Sequence, residues 1–189
     1  MDNKLKIVAL IGSLREKSLN KYLLNYVKNK AEDTLDIETA DINLPLFNED
    51  IETNPQESVI KLRNIIKNSD GILFVTPEYN YSITGVLKNA IDWGSRPYTD
   101  NVFFKKPVGI IGVSSGAIGT SRAQYHLRQT CVFLNAFVMP KPEVIITFAK
   151  EKFSDDGTLI DVDTQNVTNS FIESFTKWVE GINKIKDSL

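Results

Sequence analysis

Short apolar runs alternate with helix-patterned stretches along nearly the whole chain, and this alternation constrains the fold more than any other feature. Residues 6–11 read as a first strand. A helix over 18–30 follows, in which Leu19, Leu23, Tyr26 and Val27 recur at three- and four-residue spacings. A second strand is expected over 35–40. After an extended loop over 41–53, Pro55 opens a second helix running to 66, proline being favoured in a first turn. Ile72-Leu73-Phe74-Val75 is apolar throughout rather than alternating, as in a strand covered on both faces. A third helix over 83–93 carries a stripe of Ile83, Val86, Leu87, Ala90 and Ile91. A fourth strand over 108–113, a helix over about 121–135, a fifth strand near 144–148 and a last helix over about 164–186 complete the series. Residues 150–163 read as a polar turn or hairpin around Asp155-Asp156-Gly157. Five strands separated by helices predict an α/β fold, a parallel sheet with helices on both faces, because parallel neighbours need right-handed crossovers. No repeat or linker interrupts the pattern, so residues 1–189 read as a single domain.

Charge excludes some functions. With 22 basic and 24 acidic residues the net charge is −2, which offers no basic face for nucleic acid and little charge for docking a cationic protein. No apolar run approaches the ~20 residues that span a bilayer, and Met1-Asp2-Asn3-Lys4 leads into the first strand without the apolar region of a signal peptide. Cys131, the single cysteine, rules out an intrachain disulfide and fits a reducing compartment. The expectation is a soluble, cytoplasmic protein with no nucleic-acid partner and no membrane insertion.

In open α/β sheets ligands bind just past the carboxyl ends of the strands, so the loops there carry the functional reading. After the third strand comes Pro77-Glu78-Tyr79-Asn80-Tyr81-Ser82, whose tyrosine rings and asparagine amide suit a flat, hydrogen-bonding ligand such as flavin. The same residues also fit a surface turn whose tyrosines cover the core. Glu78 fits two roles, a catalytic acid or a carboxylate that anchors the loop by accepting backbone N–H groups. After the first strand comes Gly12-Ser13-Leu14-Arg15-Glu16-Lys17-Ser18-Leu19-Asn20. It lacks both the Gly-x-Gly-x-x-Gly of dinucleotide sites and the Gly-Lys-Ser/Thr of nucleotide-hydrolysing loops. Ser13, Ser18, Asn20 and the Arg15 guanidinium can instead ring a terminal monophosphate at the start of a helix, and FMN ends in one. A plain N-cap at Ser18 and a solvated Arg15 fit the same residues. The third loop, Ser114-Ser115-Gly116-Ala117-Ile118-Gly119-Thr120-Ser121, has small residues that admit close backbone approach, or that simply make a turn and cap. Loops after strands one, three and four would share one edge of the sheet and one ligand.

In these residues the chain resembles the NADPH-dependent FMN reductase family of flavodoxin-like proteins, which includes quinone, chromate and azo-dye reductases. The resemblance is carried by Gly12-Ser13-Leu14-Arg15 with Ser18 and Asn20, by Pro77 to Ser82, by Gly85-Val86-Leu87-Lys88-Asn89-Ala90-Ile91-Asp92-Trp93, and by Arg122-Ala123-Gln124. It implies a flavodoxin-like five-stranded parallel sheet in the order 2-1-3-4-5, bound FMN, and a homodimer or homotetramer. By motif position, Ser13, Arg15, Ser18 and Asn20 would hold the phosphate, with Leu19 also among the cofactor-binding residues. Pro77, Glu78, Tyr79 and Asn80 would line the ring and ribityl chain, with Tyr81 and Ser82 completing that loop and Tyr81 and the helix after it close to the subunit contact. Ser114 and Gly116 would stand at the ring's other edge, with Ser115 between them also counted as cofactor-binding. One departure is Gly119-Thr120-Ser121, which stands where many relatives have paired glycines.

The resemblance implies an FMN-dependent oxidoreductase that takes hydride from NADPH or NADH and serves a small-molecule electron acceptor (a quinone, azo compound, flavin or similar) by a ping-pong scheme. The cofactor carries the chemistry, so no catalytic side chain and no metal is expected, and backbone N–H groups would stabilise negative charge at the ring's pyrimidine edge. His126 is expected to be structural and Cys131 to be core. The rival reading is a flavodoxin-like electron carrier or a non-catalytic FMN-binding module.

Overall fold

The structure, a computed structural model, describes residues 4–188. Residues 1–3 and 189, which belong to the expected single domain and to the N-terminal segment read for a leader, lie outside the described residues. The strands are β1 (Leu5–Ile11), β2 (Leu35–Thr39), β3 (Gly71–Val75), β4 (Pro107–Val113), β5 (Phe137–Val138) and β6 (Val144–Ile146). The helices are α1 (Leu19–Lys30), α2 (Glu57–Lys67), α3 (Gly85–Gly94), α4 (Ser121–Phe133) and α5 (Val162–Ile185). The sheet runs β2-β1-β3-β4-β5, with β6 also on β4, and every pairing is parallel. This is the expected flavodoxin-like order.

Alternation along the strands builds two cores. Ile7, Ala9 and Ile11 of β1 face one side, where they join Leu73 and Val75 of β3, Leu23 and Val27 of α1, and Phe171 and Phe175 of α5. Val8 and Leu10 face the other, with Phe74, Leu62 of α2, Leu87 and Ile91 of α3, and Leu127 of α4. Both faces of β3 and β4 are therefore covered, which is why their sequences are apolar without alternation.

The expected fifth strand is two short ones. β5 pairs the start of β4 through Pro107 and Val108, and β6 pairs its end through Ile111, Gly112 and Val113. Between them Pro140 and Pro142 have no N–H to give a ladder. β6 stops at Ile146 rather than 148, and Phe148 turns into the left-handed region at φ 48°. α3 begins two residues later than the apolar stripe predicts because Thr84 takes its N-cap. Thr84 Oγ1 accepts from Leu87 N–H at 3.4 Å and donates to Gly12 O at 2.9 Å, which ties the loop before α3 to the loop after β1. The extended segment after β2 is strapped to α3. Asn89 Nδ2 and Trp93 Nε1 both donate to Pro45 O, at 2.9 and 2.8 Å. The expected hairpin is present as an antiparallel bridge between Phe153 and Leu159, turning at Gly157 with φ 88°.

Candidate active site

β1, β3 and β4 are neighbours, so the loops leaving their carboxyl ends meet. They form a cleft of about 100 Å³ lined by Ser13, Arg15, Ser18, Leu19 and Asn20 from the first loop, Pro77, Glu78 and Tyr79 from the second, and Ser114 and Ser115 beyond Val113. Larger clefts exist, one of about 730 Å³ between β2 and α2, but that one lies beside Glu38, Asp41 and Glu57, away from these three loops. The volume at the strand ends is below the ~300–1,000 Å³ of an enclosed small-ligand pocket, so only part of a mononucleotide would be enclosed. Close approach is built in at Gly12, where a Cβ would stand 3.1 Å from Pro77 Cδ and from Thr84 Oγ1.

Ser18 occupies the N-cap of α1, yet its hydroxyl makes no capping hydrogen bond. Its residue is nearly fully buried and lines the cleft. That hydroxyl, and the N–H groups of the first helical turn that have no intrahelical partner, leave a set of donors for an anion. Ser13 Oγ accepts from Arg15 N–H at 3.3 Å, folding the loop back on itself. Asn20 is differently employed. Its Nδ2 donates to Val113 O at 2.9 Å and its Oδ1 accepts from Val113 N–H at 3.1 Å, so the amide closes the open end of β4 beneath the cleft.

In the second loop the backbone of Tyr79 and Ser82 exchanges two hydrogen bonds of 3.0 Å, closing a turn. Asn80 and Tyr81 at its centre have φ of 51° and 65°, as in a type I′ turn. Asn80, Tyr81 and Ser82 stand on this turn outside the cleft lining, and Gly116 likewise stands one residue beyond it. Glu78 Oε2 accepts from Ala123 N–H at 3.0 Å, while Oε1 lies 3.9 Å from Arg122 Nη1. Of its two sequence readings, this geometry is that of the anchor. The Arg122 guanidinium sits over the Tyr81 ring, 3.8 Å from its centroid. Ser82 Oγ meets His126 Nδ1 at 3.1 Å.

The unpaired glycine pattern of the third loop has a backbone explanation. Gly119 takes φ 64°, but Thr120 has φ −125°, which needs no second glycine. The Thr120 hydroxyl accepts from Gln124 Nε2 at 3.0 Å rather than capping α4. Gly112 beneath this loop is a true close approach, since a Cβ there would lie 2.3 Å from Thr76 O. Sequence reasoning expected His126 to be structural and matched Arg122 to the family, but it placed neither at the turn each contacts, which lies about forty residues away, beyond any local signal. Cys131 is buried, and burial pushes its thiol up to about 12, so it stays protonated and inert.

A doubly wound parallel sheet in the order 2-1-3-4-5, with a cleft where the loops after β1, β3 and β4 meet, places the fold in the flavodoxin-like class. Within that class the profile of the NADPH-dependent FMN reductase family matches residues 5–151. An NAD(P)H-dependent FMN reductase of Pseudomonas aeruginosa is 42% identical over 181 residues, covering 95% of this chain and 97% of the relative. A 2-hydroxy-1,4-benzoquinone reductase of a Burkholderia species is 40% identical over 176 residues, with 93% and 96% covered. Among solved structures, FerB of Paracoccus denitrificans, a flavoenzyme NAD(P)H:(acceptor) oxidoreductase, superposes with TM-score 0.88 at 36% identity, covering 94% of this chain and 98% of the other. The chain belongs to the NADPH-dependent FMN reductase family. It is an FMN-dependent NAD(P)H oxidoreductase of the quinone-reductase type.

Proposed function

We propose that this enzyme passes hydride equivalents from NADPH or NADH to quinones and similar planar acceptors, donor and acceptor taking turns at one open face. The observation that carries this reading is the convergence of the loops after β1, β3 and β4 on one cleft whose α1 end presents an uncapped serine hydroxyl. Ser18, Ser13, Arg15 and the first-turn N–H groups of α1 would hold the FMN phosphate, with Asn20 and Leu19 shaping the floor. Pro77, Glu78, Tyr79 and Asn80 would border the ring and ribityl chain on one side, and Ser114, Ser115 and Gly116 on the other. Bound FMN supplies the hydride-accepting centre between donor and acceptor. The chain's own contribution is orientation, and backbone N–H groups placed at the ring's pyrimidine edge. Half-exposed Tyr79, which lines the cleft, offers a ring against which a planar acceptor would lie.

A second copy of the chain is the proposed partner, as a homodimer or homotetramer. At the end of α4, Val132 is 78% and Phe133 69% exposed, with Tyr98 edge-on against Phe133, an apolar surface that a second copy would cover. No helix among the described residues is long and apolar enough to cross a membrane. The buried single thiol fits a reducing, cytoplasmic setting.

Anaerobic stopped-flow absorbance tests the activity. Flavin-loaded protein that bleaches with NADPH or NADH and recolours with a quinone supports the reductase. Loaded protein that neither donor bleaches would favour an electron carrier.

A further inference from the structure

Turn 79–82 is held in a conformation its own residues disfavour. Of the two left-handed residues at its centre, asparagine tolerates that region and tyrosine does so rarely. The two backbone bonds between Tyr79 and Ser82 close the turn but do not aim it. Aiming falls to α4. At the turn's entry Glu78 accepts from Ala123 N–H at 3.0 Å, and at its exit Ser82 meets His126 at 3.1 Å. Ala123 and His126 lie three residues apart, on one face of one helical turn. The contact at Glu78 also replaces something α4 lacks. Thr120 at the N-cap makes no capping bond, so Glu78 satisfies an N–H of the first turn that the cap would normally serve.

The geometry points to Glu78 and His126 as positioning residues that fix the pose of turn 79–82 against the flavin ring. The carboxylate and imidazole act through α4 and the turn, without contact with the reacting atoms. This deepens the flavin reading above and rests on it.

The test uses amide hydrogen exchange at Tyr79 and Ser82 in the flavin-free protein, together with FMN titration, for wild type and for Glu78→Ala, Glu78→Gln, Ser82→Ala, His126→Ala and the Ser82→Ala/His126→Ala pair. Glu78→Ala is expected to speed exchange of both amides and to raise the FMN Kd about tenfold, the scale of one lost charge-assisted hydrogen bond. Glu78→Gln, whose amide oxygen can still accept from Ala123, is expected to restore most of both. Ser82→Ala and His126→Ala are expected to give equal, smaller effects that do not add in the pair. If Glu78→Ala does not fold, the Glu78→Gln result and the Ser82/His126 cycle decide the question. Exchange unchanged in every variant, or faster exchange with FMN affinity unchanged, would overturn the proposal. Glu78→Gln as damaged as Glu78→Ala in FMN binding, with wild-type exchange, would also overturn it and make Glu78 a direct ligand. Wild-type protein that takes up no FMN would strike the flavin reading itself, an outcome distinct from the others, in which wild type binds.

Discussion

The two ends of the cleft are built on opposite plans. In the loop after β1, the Ser18 hydroxyl is uncapped, the Arg15 side chain makes no hydrogen bond or ion pair among the described residues, and the first N–H groups of α1 have no intrahelical partner. In the loop after β3, polar groups are already engaged within the chain: Glu78 with Ala123, Ser82 with His126, and the Tyr79 and Ser82 backbones with each other. Free donors suit a site that draws affinity from an anion, because each unmade bond is available to the ligand. Engaged groups suit a site that supplies shape. On the FMN reading proposed above, the comparison separates an affinity end from a geometry end, and substitutions at each should fail differently.

The largest effect is expected where the affinity end depends on structure. Asn20→Ala leaves the Val113 N–H and C=O unpaired at the end of a buried strand, and should lower folding stability by ~2–4 kcal/mol in a denaturant titration of the apo protein. A loss confined to FMN affinity would make Asn20 a ligand rather than a clamp. Arg15→Ala should loosen FMN by ~1.5–3 kcal/mol while leaving the apo melting temperature unchanged, since no contact within the fold is removed. Unaltered affinity in a flavin titration would remove Arg15 from the phosphate site. Ser18→Ala should loosen FMN by ~0.5–1.5 kcal/mol. Its effect on folding should fall short of the ~1 kcal/mol typical of a lost N-cap, because the hydroxyl makes no cap bond; thermal melts of the apo protein distinguish the two roles. At the geometry end, Tyr81→Gly relieves a left-handed residue but removes the ring under Arg122 and loosens the unfolded chain. The opposing terms of ~0.5–2 kcal/mol each leave apo stability within ~1 kcal/mol of wild type. FMN affinity should nevertheless fall a few-fold, and equal affinity would show that the turn's shape does not matter to the ligand.

Strand and helix placement was legible because burial on both faces writes continuous apolar runs such as Ile72–Val75 and stripes such as Leu87, Ala90 and Ile91 into the chain, whereas the order of the strands came from the family resemblance alone. The split of the fifth strand was not legible. β5 spans only Phe137–Val138, too short for periodicity to register, and its existence depends on the edge that β4 offers. At the cleft, residue types announced which loops matter. They did not announce which polar groups are already engaged: Ser18 reads as a phosphate ligand or an N-cap and stands at the N-cap without a capping bond, whereas Asn20 reads as a ligand and its amide pairs with Val113, 93 residues away. Such pairings are set by tertiary proximity, which no local pattern encodes.

The most direct measurement is a titration of the apo protein with FMN and, separately, with riboflavin, which has the same ring but no phosphate. The expected result is FMN binding far more tightly than riboflavin, with most of that difference abolished by Arg15→Ala. Equal affinity for the two ligands, or a difference that survives Arg15→Ala intact, would contradict the assignment of the α1 end to the phosphate.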